Sequence, residues 1–488
     1  MSDLILVLDE GTTSTRAMVF TAAGELRGTA QAELTQHYPC SGWVEHDAGE
    51  IWAKTLACAH QVIGAAGGPE QFAGIGIANQ RETVVAWDRT SGEPLARAIV
   101  WQDRRTADAC AALREAGHED AVHDATGLLL DPYFSATKMR WLIDHEPAVA
   151  AASQAGTLAF GTIESWLVFK LTGAHVTDAG NASRTLLLPL AGAQWDSGLC
   201  DLFGVPRGAL PEVIDSMADL GTTDLFGARI RVLGLAGDQQ AATIGQGCLT
   251  RGETKATYGT GAFILSNEGD SIPRSANRLL GTVLYQLGGR RTYALEGSVF
   301  VAGSFIQWLR DALGFINTSA ETEALARSIP DSGGVVVIPA LSGLGAPHWR
   351  PHARGLITGL SFATGKAHIV RAALQAMAHQ TRDLATAFAA DGARWTTLRI
   401  DGGMAANNWM AQDIADITGL TVVRPDLVET TALGAAMLAA VGGGLHPSLE
   451  TAATAMIGPG RTFEPAMSVD ERQSRIASWD HALAAVPG

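Results

Sequence analysis

LILVLDEGTTSTRAMVF, residues 4–20, is the stretch that decides the fold. Two apolar runs, 4–8 and 17–20, flank a polar tip that holds an acid pair, a glycine, four hydroxyls and an arginine. Such runs on either side of a turn predict the two strands of a buried hairpin. Gly11 lets another backbone approach closely, and the N–H groups after it can line a phosphate. An ordinary polar loop uses the same residue types, so the stretch alone leaves both interpretations open.

A second stretch, ETKATYGTGAFILSNEG at 253–269, repeats the pattern of strand, glycine and threonine turn, and strand. Each of the two hairpins begins a half of mixed strands and helices, which indicates an internally duplicated α/β architecture. A chain of 488 residues is also too long for one compact core. We therefore expect two domains, 1–249 and 250–488, whose hairpins grip opposite sides of a phosphate chain.

Periodicity in the rest of the chain predicts further strands and helices. The predicted elements are a helix over 46–66, strands at 72–79 and 83–88, a helix over 163–173 that stops at Gly173, a strand, glycine turn and helix over 231–247, a helix over 368–390, a strand, glycine turn and helix over 396–419, and a helix over 431–441.

Composition excludes several classes of function. The net charge of -15 argues against a general affinity for nucleic acid or an anionic membrane, although a nucleotide can still be held by local N–H groups and Mg²⁺. The five cysteines form no CxxC pair, so we expect free buried thiols and neither structural zinc nor a disulfide framework. The N-terminal residues have no basic region or cleavage site, and the apolar stretch is too short for a membrane span, which predicts a cytoplasmic protein.

Several polar residues follow predicted strands, where they have both a functional and a structural interpretation. Asp238 lies between a strand and a helix, so it can act as a general base toward a hydroxyl or cap the helix. Arg81 and Glu82 can bind hydroxyls through charge-assisted bonds or form a surface ion pair. Trp101 and Tyr133 lie among polar neighbours and suit the aromatic walls of a polyol site, or core packing.

The turn DGGMAAN, 401–407, follows another predicted strand. Gly403 lets a flat ring lie against the backbone and Asn407 offers amide contacts, although a plain strand-to-helix turn has the same residues. Asp9 can lie near a phosphate only when a metal ion lies between the two anions.

A dozen motifs, in order from residue 4 to about 440, carry a resemblance. On these motifs the chain resembles the FGGY family of carbohydrate kinases, and within it the members that phosphorylate glycerol. The resemblance implies two duplicated actin-like ATPase (ribonuclease H-like) domains, an active-site cleft between them, ATP and Mg²⁺, and assembly as a homodimer or homotetramer. The motifs are LDEGTTSTRA, GWVEHD, IGIANQRET, IVWQDRRT, TGLLLDPYFSATK, TDAGNASRTLL, GLAGDQQAA, TYGTGAF, ALEGSVFVAGSFIQWLRD, LSGLGAPHW, DGGMAANN and ETTALGAA.

The same resemblance implies a role for individual positions. Asp238 resembles the catalytic base, and Asp9 and Asp238 resemble the carboxylates at the metal. The implied glycerol contacts are Arg81, Glu82, Tyr133, Asp238 and Gln239, with Trp101 and Phe263 as apolar walls. The implied nucleotide contacts are Thr12, Thr13, Ser14, Arg16, Thr260, Gly303, Gln307, Gly403 and Asn407.

The chain departs from the family pattern at three places. Glu10 stands where these kinases usually have Gln, the segment 222–232 lacks the glycine-rich loop that binds fructose 1,6-bisphosphate in some relatives, and 463–476 does not match the surface offered to a phosphotransferase-system regulator. We expect weak or absent control of both kinds. Two other functions stay open: a kinase for another polyol or sugar, such as erythritol or a ketopentose, and a catalytically silent nucleotide-binding protein. The presence of both Asp9 and Asp238 argues against the latter.

Overall fold

A computed structural model of the chain describes residues 3–350 and 352–486. The first half alternates strands and helices in the following order: β1 (Leu4–Glu10), β2 (Ser14–Thr21), β3 (Leu26–Glu33), β4 (Glu45–His46), α1 (Ala48–Ala65), β5 (Phe72–Asn79), β6 (Val85–Asp88), β7 (Ala98–Ile99), α2 (Ala107–Glu115), α3 (Glu119–Thr126), α4 (Ser135–His145), α5 (Pro147–Ala155), β8 (Leu158–Gly161), α6 (Ile163–Thr172), β9 (Val176–Asp178), α7 (Ala179–Ala182), α8 (Ser197–Phe203), β10 (Glu212–Ile214), β11 (Thr222–Thr223), β12 (Ile230–Gly237) and α9 (Asp238–Gly245).

The second half continues in the same style. Its elements are β13 (Glu253–Tyr258), β14 (Ala262–Gly269), β15 (Leu280–Leu287), β16 (Arg290–Val299), α10 (Gly303–Asp311), α11 (Glu321–Arg327), β17 (Val336–Ile338), β18 (Leu356–Thr358), α12 (Lys366–Ala390), β19 (Thr397–Asp401), α13 (Asn408–Thr418), β20 (Val422–Pro425), α14 (Thr430–Gly442), α15 (Leu449–Met456), β21 (Gly460–Phe463) and α16 (Val469–Ala484).

Two central sheets confirm the predicted duplication. The first sheet has the order β11-β12-β5-β1-β2-β3, and the second has the order β15-β16-β14-β13-β19-β20-β21. In each, an antiparallel hairpin (β1–β2 or β13–β14) pairs on its other side with a parallel strand (β5 or β19). The five-strand series β3-β2-β1-β5-β12 therefore has its counterpart in β16-β14-β13-β19-β20.

The opening stretch folds as predicted, and its apolar run has a simple cause. Alternate residues of β1 enter different cores: Leu6 and Leu8 pack with the apolar face of α1, whereas Ile5 and Val7 pack with α14. A strand covered by helices on both faces has no polar side, so its sequence does not alternate. The pairing of β1 with β2 ends where Glu10 lies opposite Thr15, which places the acid pair at the very end of β1.

Helices α9 and α14 join the two halves. Helix α14 belongs to the second half by sequence but packs on β1, β5 and β12 of the first sheet, and α9 reaches β13 and β14 of the second. The two helices also touch each other, because a side chain at Gly434 would meet the Ala241 carbonyl oxygen at 1.8 Å and one at Gly245 would meet the Thr430 carbonyl oxygen at 2.0 Å. This crossing holds the two sheets against one another.

The other predicted elements have counterparts in α1, β5, β6, α6, β12 with α9, α12, β19 with α13, and α14. Helix α6 ends, as predicted, before Gly173, which has the left-handed backbone angle φ of 80°. The cysteine prediction holds for four thiols and is wrong for Cys40, which is exposed although it is also free. Within residues 3–350 and 352–486, no helix is both long and apolar enough to cross a membrane.

Candidate active site

The tip of the β1–β2 hairpin is held by ionic and polar contacts. Asp9 is buried and forms an ion pair with Arg16, its cross-strand neighbour, and Arg16 Nη1 also lies 2.6 Å from Glu429 Oε2 at the start of α14. Burial raises the pKa of Asp9, Arg16 lowers it, and the charges of Asp238 and Glu429 raise it further. Asp9 and Asp238 therefore repel one another across the site.

The turn residues are placed by neighbours from the same half. The indole Nε1 of Trp101 donates to Thr12 Oγ1 at 2.9 Å, and Gln36 Nε2 donates to the Thr12 carbonyl at 2.9 Å. Thr13 is exposed, and Ser14 Oγ accepts a hydrogen bond from Gln31. The predicted phosphate contacts Thr12, Thr13 and Ser14 thus lie together at an accessible tip.

A buried network of charges lies beside this tip. Arg81 donates to both carboxylate oxygens of Glu296, at 2.7 and 3.0 Å, and Arg184 Nε donates to Glu82 Oε1 at 2.7 Å. Burial alone would raise the pKa of Glu296, but Arg184 and Arg81 outweigh it and hold that pKa at about 2. Because all four groups are buried, the interpretation of Arg81 and Glu82 as a surface ion pair is wrong.

Asp238 lies next to this network and is more accessible. It is the first residue of α9, Gly237 occupies the N-cap position, and the Asp238 side chain is 35% exposed. Its Oδ1 accepts a hydrogen bond from the Gln239 N–H at 2.7 Å and lies 3.5 Å from Arg81 Nε. The alternative that Asp238 is the N-cap residue is wrong, and its carboxylate is oriented by a buried guanidinium.

Aromatic rings border the same region. Trp101 and Tyr133 contact each other edge to face, with ring centroids 5.6 Å apart, and the Tyr133 hydroxyl accepts from Arg81 Nη2 at 3.4 Å. Burial raises the pKa of Tyr133, so the phenol stays protonated. Phe263 lies on β14 opposite Ser298 and is half-buried.

The second hairpin lies at one end of a cavity of about 570 Å³. The backbone N–H groups of Ala302, Gly303 and Ser304, at the start of α10, donate to the carbonyls of Gly259 and Thr260. This packing sets the hairpin against a helix N-terminus. All five nucleotide contacts predicted in the second half line the cavity: Thr260, Gly303, Gln307, Gly403 and Asn407.

Asn407 has a structural task as well. It is the N-cap of α13, where its Oδ1 accepts from the Met410 N–H at 3.0 Å and its Nδ2 donates to Thr322 Oγ1 at 3.1 Å. The structural interpretation of the DGGMAAN turn is confirmed, and the same cap residue also lines the cavity, where its contact with a nucleotide stays a prediction.

The carboxylates of Asp9 and Asp238 suit a hard divalent cation only when a bound nucleotide supplies further oxygen atoms. In the described part of the chain, no three His, Cys, Asp or Glu side chains are grouped so that they could hold a metal ion by themselves. Asp9 and Asp238 supply two carboxylates that repel one another, and Mg²⁺ commonly binds one or two carboxylates plus phosphate oxygens and water. The donor set therefore suits Mg²⁺ that arrives with a nucleotide.

Three charged residues of the site escaped the sequence analysis. Arg184 and Glu296 complete the buried network, and Lys255 on β13 donates to Gln239 Oε1. All three lie inside motifs or stretches that had been recognised. The available signal was a lone charge in an otherwise apolar strand, as in YALEGSV for Glu296, since such a charge needs a buried partner.

Fold and site together define a class of protein: a duplicated α/β ATPase fold with a buried network of charges beside one hairpin and a nucleotide-sized cavity beside the other. Residues 4–245 match the N-terminal domain, and residues 254–443 the C-terminal domain, of the FGGY family of carbohydrate kinases. The chain belongs to this family, and the predicted family and fold are confirmed.

Known relatives resemble the chain over its full length. The glycerol kinase of Alcanivorax borkumensis is 55% identical over 488 residues, which cover 99% of this chain and 98% of that protein. The glycerol kinase of Rhodospirillum rubrum is 50% identical, with 98% of both chains covered. The crystal structure of Plasmodium falciparum glycerol kinase with ADP has a TM-score of 0.94 at 33% identity and covers 99% of this chain and 97% of that one. These findings support ATP use by this chain.

Proposed function

We propose that the chain transfers the γ-phosphoryl group of ATP to the 3-hydroxyl of glycerol and releases sn-glycerol 3-phosphate and ADP. The observation that carries the proposal is the setting of Asp238, an accessible carboxylate fixed by a buried arginine among the acceptor contacts. The relatives named glycerol kinase support the choice of acceptor.

The chemical step needs one proton acceptor and an aligned hydroxyl. As the bond between the glycerol oxygen and γ-phosphorus forms, the bond from that phosphorus to ADP breaks and the hydroxyl proton moves to Asp238. Arg81 keeps Asp238 oriented, and Glu296 keeps Arg81 oriented through its two hydrogen bonds. Phosphoryl transfer depends mostly on such positioning and on charge neutralisation.

Glycerol binding would depend on aimed hydrogen bonds, because glycerol has little apolar surface. In this proposal Arg81, Glu82 and Gln239 contact its hydroxyls, and Tyr133 contributes its phenol. Trp101 and Phe263 cover the carbon backbone. When the wrong acceptor binds such a site, buried polar groups of the protein are left without hydrogen-bond partners. The site therefore discriminates strongly between acceptors.

The nucleotide would lie between the halves. We assign the acceptor site, the first phosphate hairpin and the base to residues 1–249, and the nucleotide cavity to residues 250–488. Thr12, Thr13, Ser14 and Arg16 would meet the phosphates from one side and Thr260 from the other, with Gly303, Gln307, Gly403 and Asn407 along the rest of the nucleotide. Mg²⁺ near Asp9 and Asp238 would neutralise the charge of the phosphates.

An ADP-release assay with Mg-ATP tests the proposal. Glycerol, erythritol, xylulose and no acceptor are compared, with Asp238→Asn beside the wild type. We expect the highest kcat/KM with glycerol and a loss of roughly 10²–10⁴-fold in kcat for Asp238→Asn, the usual contribution of general-base catalysis. Asp219→Asn, an exposed aspartate paired with Arg231, is the matched control and keeps full activity.

Each alternative has its own outcome in this assay. A preference for erythritol or xylulose would move the substrate and keep the mechanism. The absence of acceptor-dependent turnover with all of these compounds would favour the silent nucleotide-binding protein. Unchanged kcat in Asp238→Asn would exclude Asp238 as the base.

We further infer a cytoplasmic protein that assembles as a homodimer or homotetramer. The location accords with its use of ATP and with five free cysteines. The family resemblance is the support for the assembly. Light scattering coupled to size-exclusion chromatography tests it, and a monomer at micromolar concentration would contradict it.

A further inference from the structure

Lys255 is a buried charge that the proposed reaction does not use. It lies on β13 with no exposed surface, and its Nζ donates to Gln239 Oε1 and, at 2.8 Å, to Thr257 Oγ1. Burial lowers the pKa of this lysine, while the nearby carboxylates Asp401 and Asp238 raise it. A charge is seldom buried without a specific task, because its desolvation is costly.

The contact with Gln239 fixes the orientation of an amide. The Lys255 ammonium has three N–H donors and no acceptor, so the atom of Gln239 that faces it is the side-chain oxygen. The amide nitrogen of Gln239 is then left to donate elsewhere. The backbone of Gln239 is fixed too, since its N–H donates to Asp238 Oδ1 at 2.7 Å and its carbonyl accepts from Thr243 Oγ1 at 2.7 Å.

The contact also crosses between the halves. Gln239 lies on α9 next to the proposed base, whereas β13 leads after Tyr258 directly into the hairpin turn Gly259–Gly261 of the nucleotide cavity. Lys255 is therefore a direct polar link between the strand that carries the second hairpin and the acceptor site.

We infer that Lys255 is a positioning residue for the phosphoryl acceptor: it turns the amide nitrogen of Gln239 toward the acceptor hydroxyl and ties that amide to the strand of the nucleotide hairpin. The inference rests on the proposed function of the site. It does not make Lys255 a catalytic residue, because Lys255 acts through Gln239.

A double-mutant cycle on KM tests this inference. Lys255→Met and Gln239→Ala are each expected to raise the KM of the acceptor about tenfold, with the KM of Mg-ATP within about twofold of the wild type. If Lys255 acts through Gln239, the double variant also shows about a tenfold rise and not a hundredfold one. Should Lys255→Met fail to fold, Lys255→Gln, which keeps a donor but loses the charge, replaces it and gives a smaller rise that again vanishes in the Gln239→Ala background.

Thr254→Val is the matched control on β13. Thr254 is equally buried, but its hydroxyl reaches only the Gly252 carbonyl, at 3.3 Å, so its KM values stay at those of the wild type. An additive double variant, or an equal rise in the KM of Mg-ATP, would overturn the inference. The cycle is run on whichever acceptor the wild type turns over best, so an acceptor other than glycerol would refute the proposed function and leave this test intact.

Discussion

The two hairpins have the same topology and opposite chemistry. In β1 the last two residues before the glycine are Asp9 and Glu10, whereas in β13 they are Thr257 and Tyr258. Glu10 and Tyr258 are both buried, and each bonds a threonine hydroxyl on a helix that covers its sheet. Thr55 on α1 lies 2.8 Å from Glu10 Oε2, and Thr381 on α12 lies 2.6 Å from the Tyr258 hydroxyl.

The difference shows where charge is needed in a duplicated fold. The first hairpin has the acid pair and Arg16, and the charge of Asp238 raises the pKa of Asp9. The second hairpin holds its shape by backbone hydrogen bonds to the start of α10 and lines a cavity. Each half thus has a hairpin with a glycine turn, and the acid pair precedes the turn only in the hairpin beside the proposed base.

The largest expected effect comes from Glu10, which forms no ion pair with any described residue. Burial raises the pKa of Glu10 to about 8 from 4.5, and its Oε1 has no hydrogen-bond partner among the described residues. The contribution of Glu10 to the free energy of unfolding is fully present below pH 4.5 and is lost as the pH rises to 8. At 1.36 kcal/mol per pKa unit, the total loss is on the order of 5 kcal/mol. Glu10→Gln removes this loss, so the variant should be the more stable protein at alkaline pH.

The measurement is the free energy of unfolding in denaturant, without Mg²⁺ or nucleotide, at several pH values. Tyr258→Phe is the matched control from the other hairpin: it loses one hydrogen bond, about 1 kcal/mol, by the same amount at every pH from 5 to about 9. Parallel pH profiles for wild type and Glu10→Gln would show that Glu10 does not titrate in this range.

The next largest effect distinguishes the roles of Asp9 and Glu429, two carboxylates that both form an ion pair with Arg16. Asp9→Asn should lower kcat by about 10²–10³-fold and raise the Mg²⁺ concentration for half-saturation, because the proposed metal loses a carboxylate. Glu429 lies in the second half, and Glu429→Gln removes its ion pair with Arg16. This variant should lower kcat by less than about tenfold. Initial rates over a Mg²⁺ series decide the matter, and equal losses would mean that the ion pairs and not the metal explain the role of Asp9.

Sequence patterns predicted the hairpins because their signal is local. An apolar run, a glycine turn and a second run lie within residues 4–20, and the same holds for 253–269. The position of Asp238 was recognised for the same reason, since it lies where a strand meets a helix, whereas Gly303 was indicated only by the family resemblance. The family motifs then supplied the roles that local pattern left open.

The buried network was not predictable in this way, because its partners are far apart in the chain. Arg81 and Glu296 are separated by 215 residues, so a local pattern can indicate that Glu296 needs a buried partner but cannot identify Arg81 as that partner. The crossing of α9 and α14 is equally non-local, since only the packed structure shows that Gly245 and Gly434 face one another. Which charges pair with one another is a property of the assembled halves, so no window of sequence contains it.

A smaller effect probes the second hairpin. At Gly303→Ala the new methyl group would meet the Gly259 carbonyl oxygen at 2.5 Å, so the start of α10 must move away from the turn. We expect the KM of Mg-ATP to rise about tenfold, or about 1.4 kcal/mol, with the KM of glycerol unchanged. Gly208→Ala, where a methyl group meets nothing within 4 Å, is the control. An equal change in both KM values would contradict the separation of the two sites.

The last prediction is that fructose 1,6-bisphosphate has no effect on the rate of the reaction. Residues 222–232, which we expect to lack the loop for this effector, form the hairpin of β11 and β12, where Arg229 is exposed and donates to Thr222 Oγ1 at 3.2 Å. One exposed arginine gives little affinity for a bisphosphate, because surface charge pairs contribute only about 0–1 kcal/mol. Rates at saturating glycerol and Mg-ATP should therefore be the same with and without the effector, in the wild type and in Arg229→Ser alike. Inhibition of the wild type that disappears in Arg229→Ser would contradict this expectation and would show that the β11–β12 hairpin forms a regulatory site.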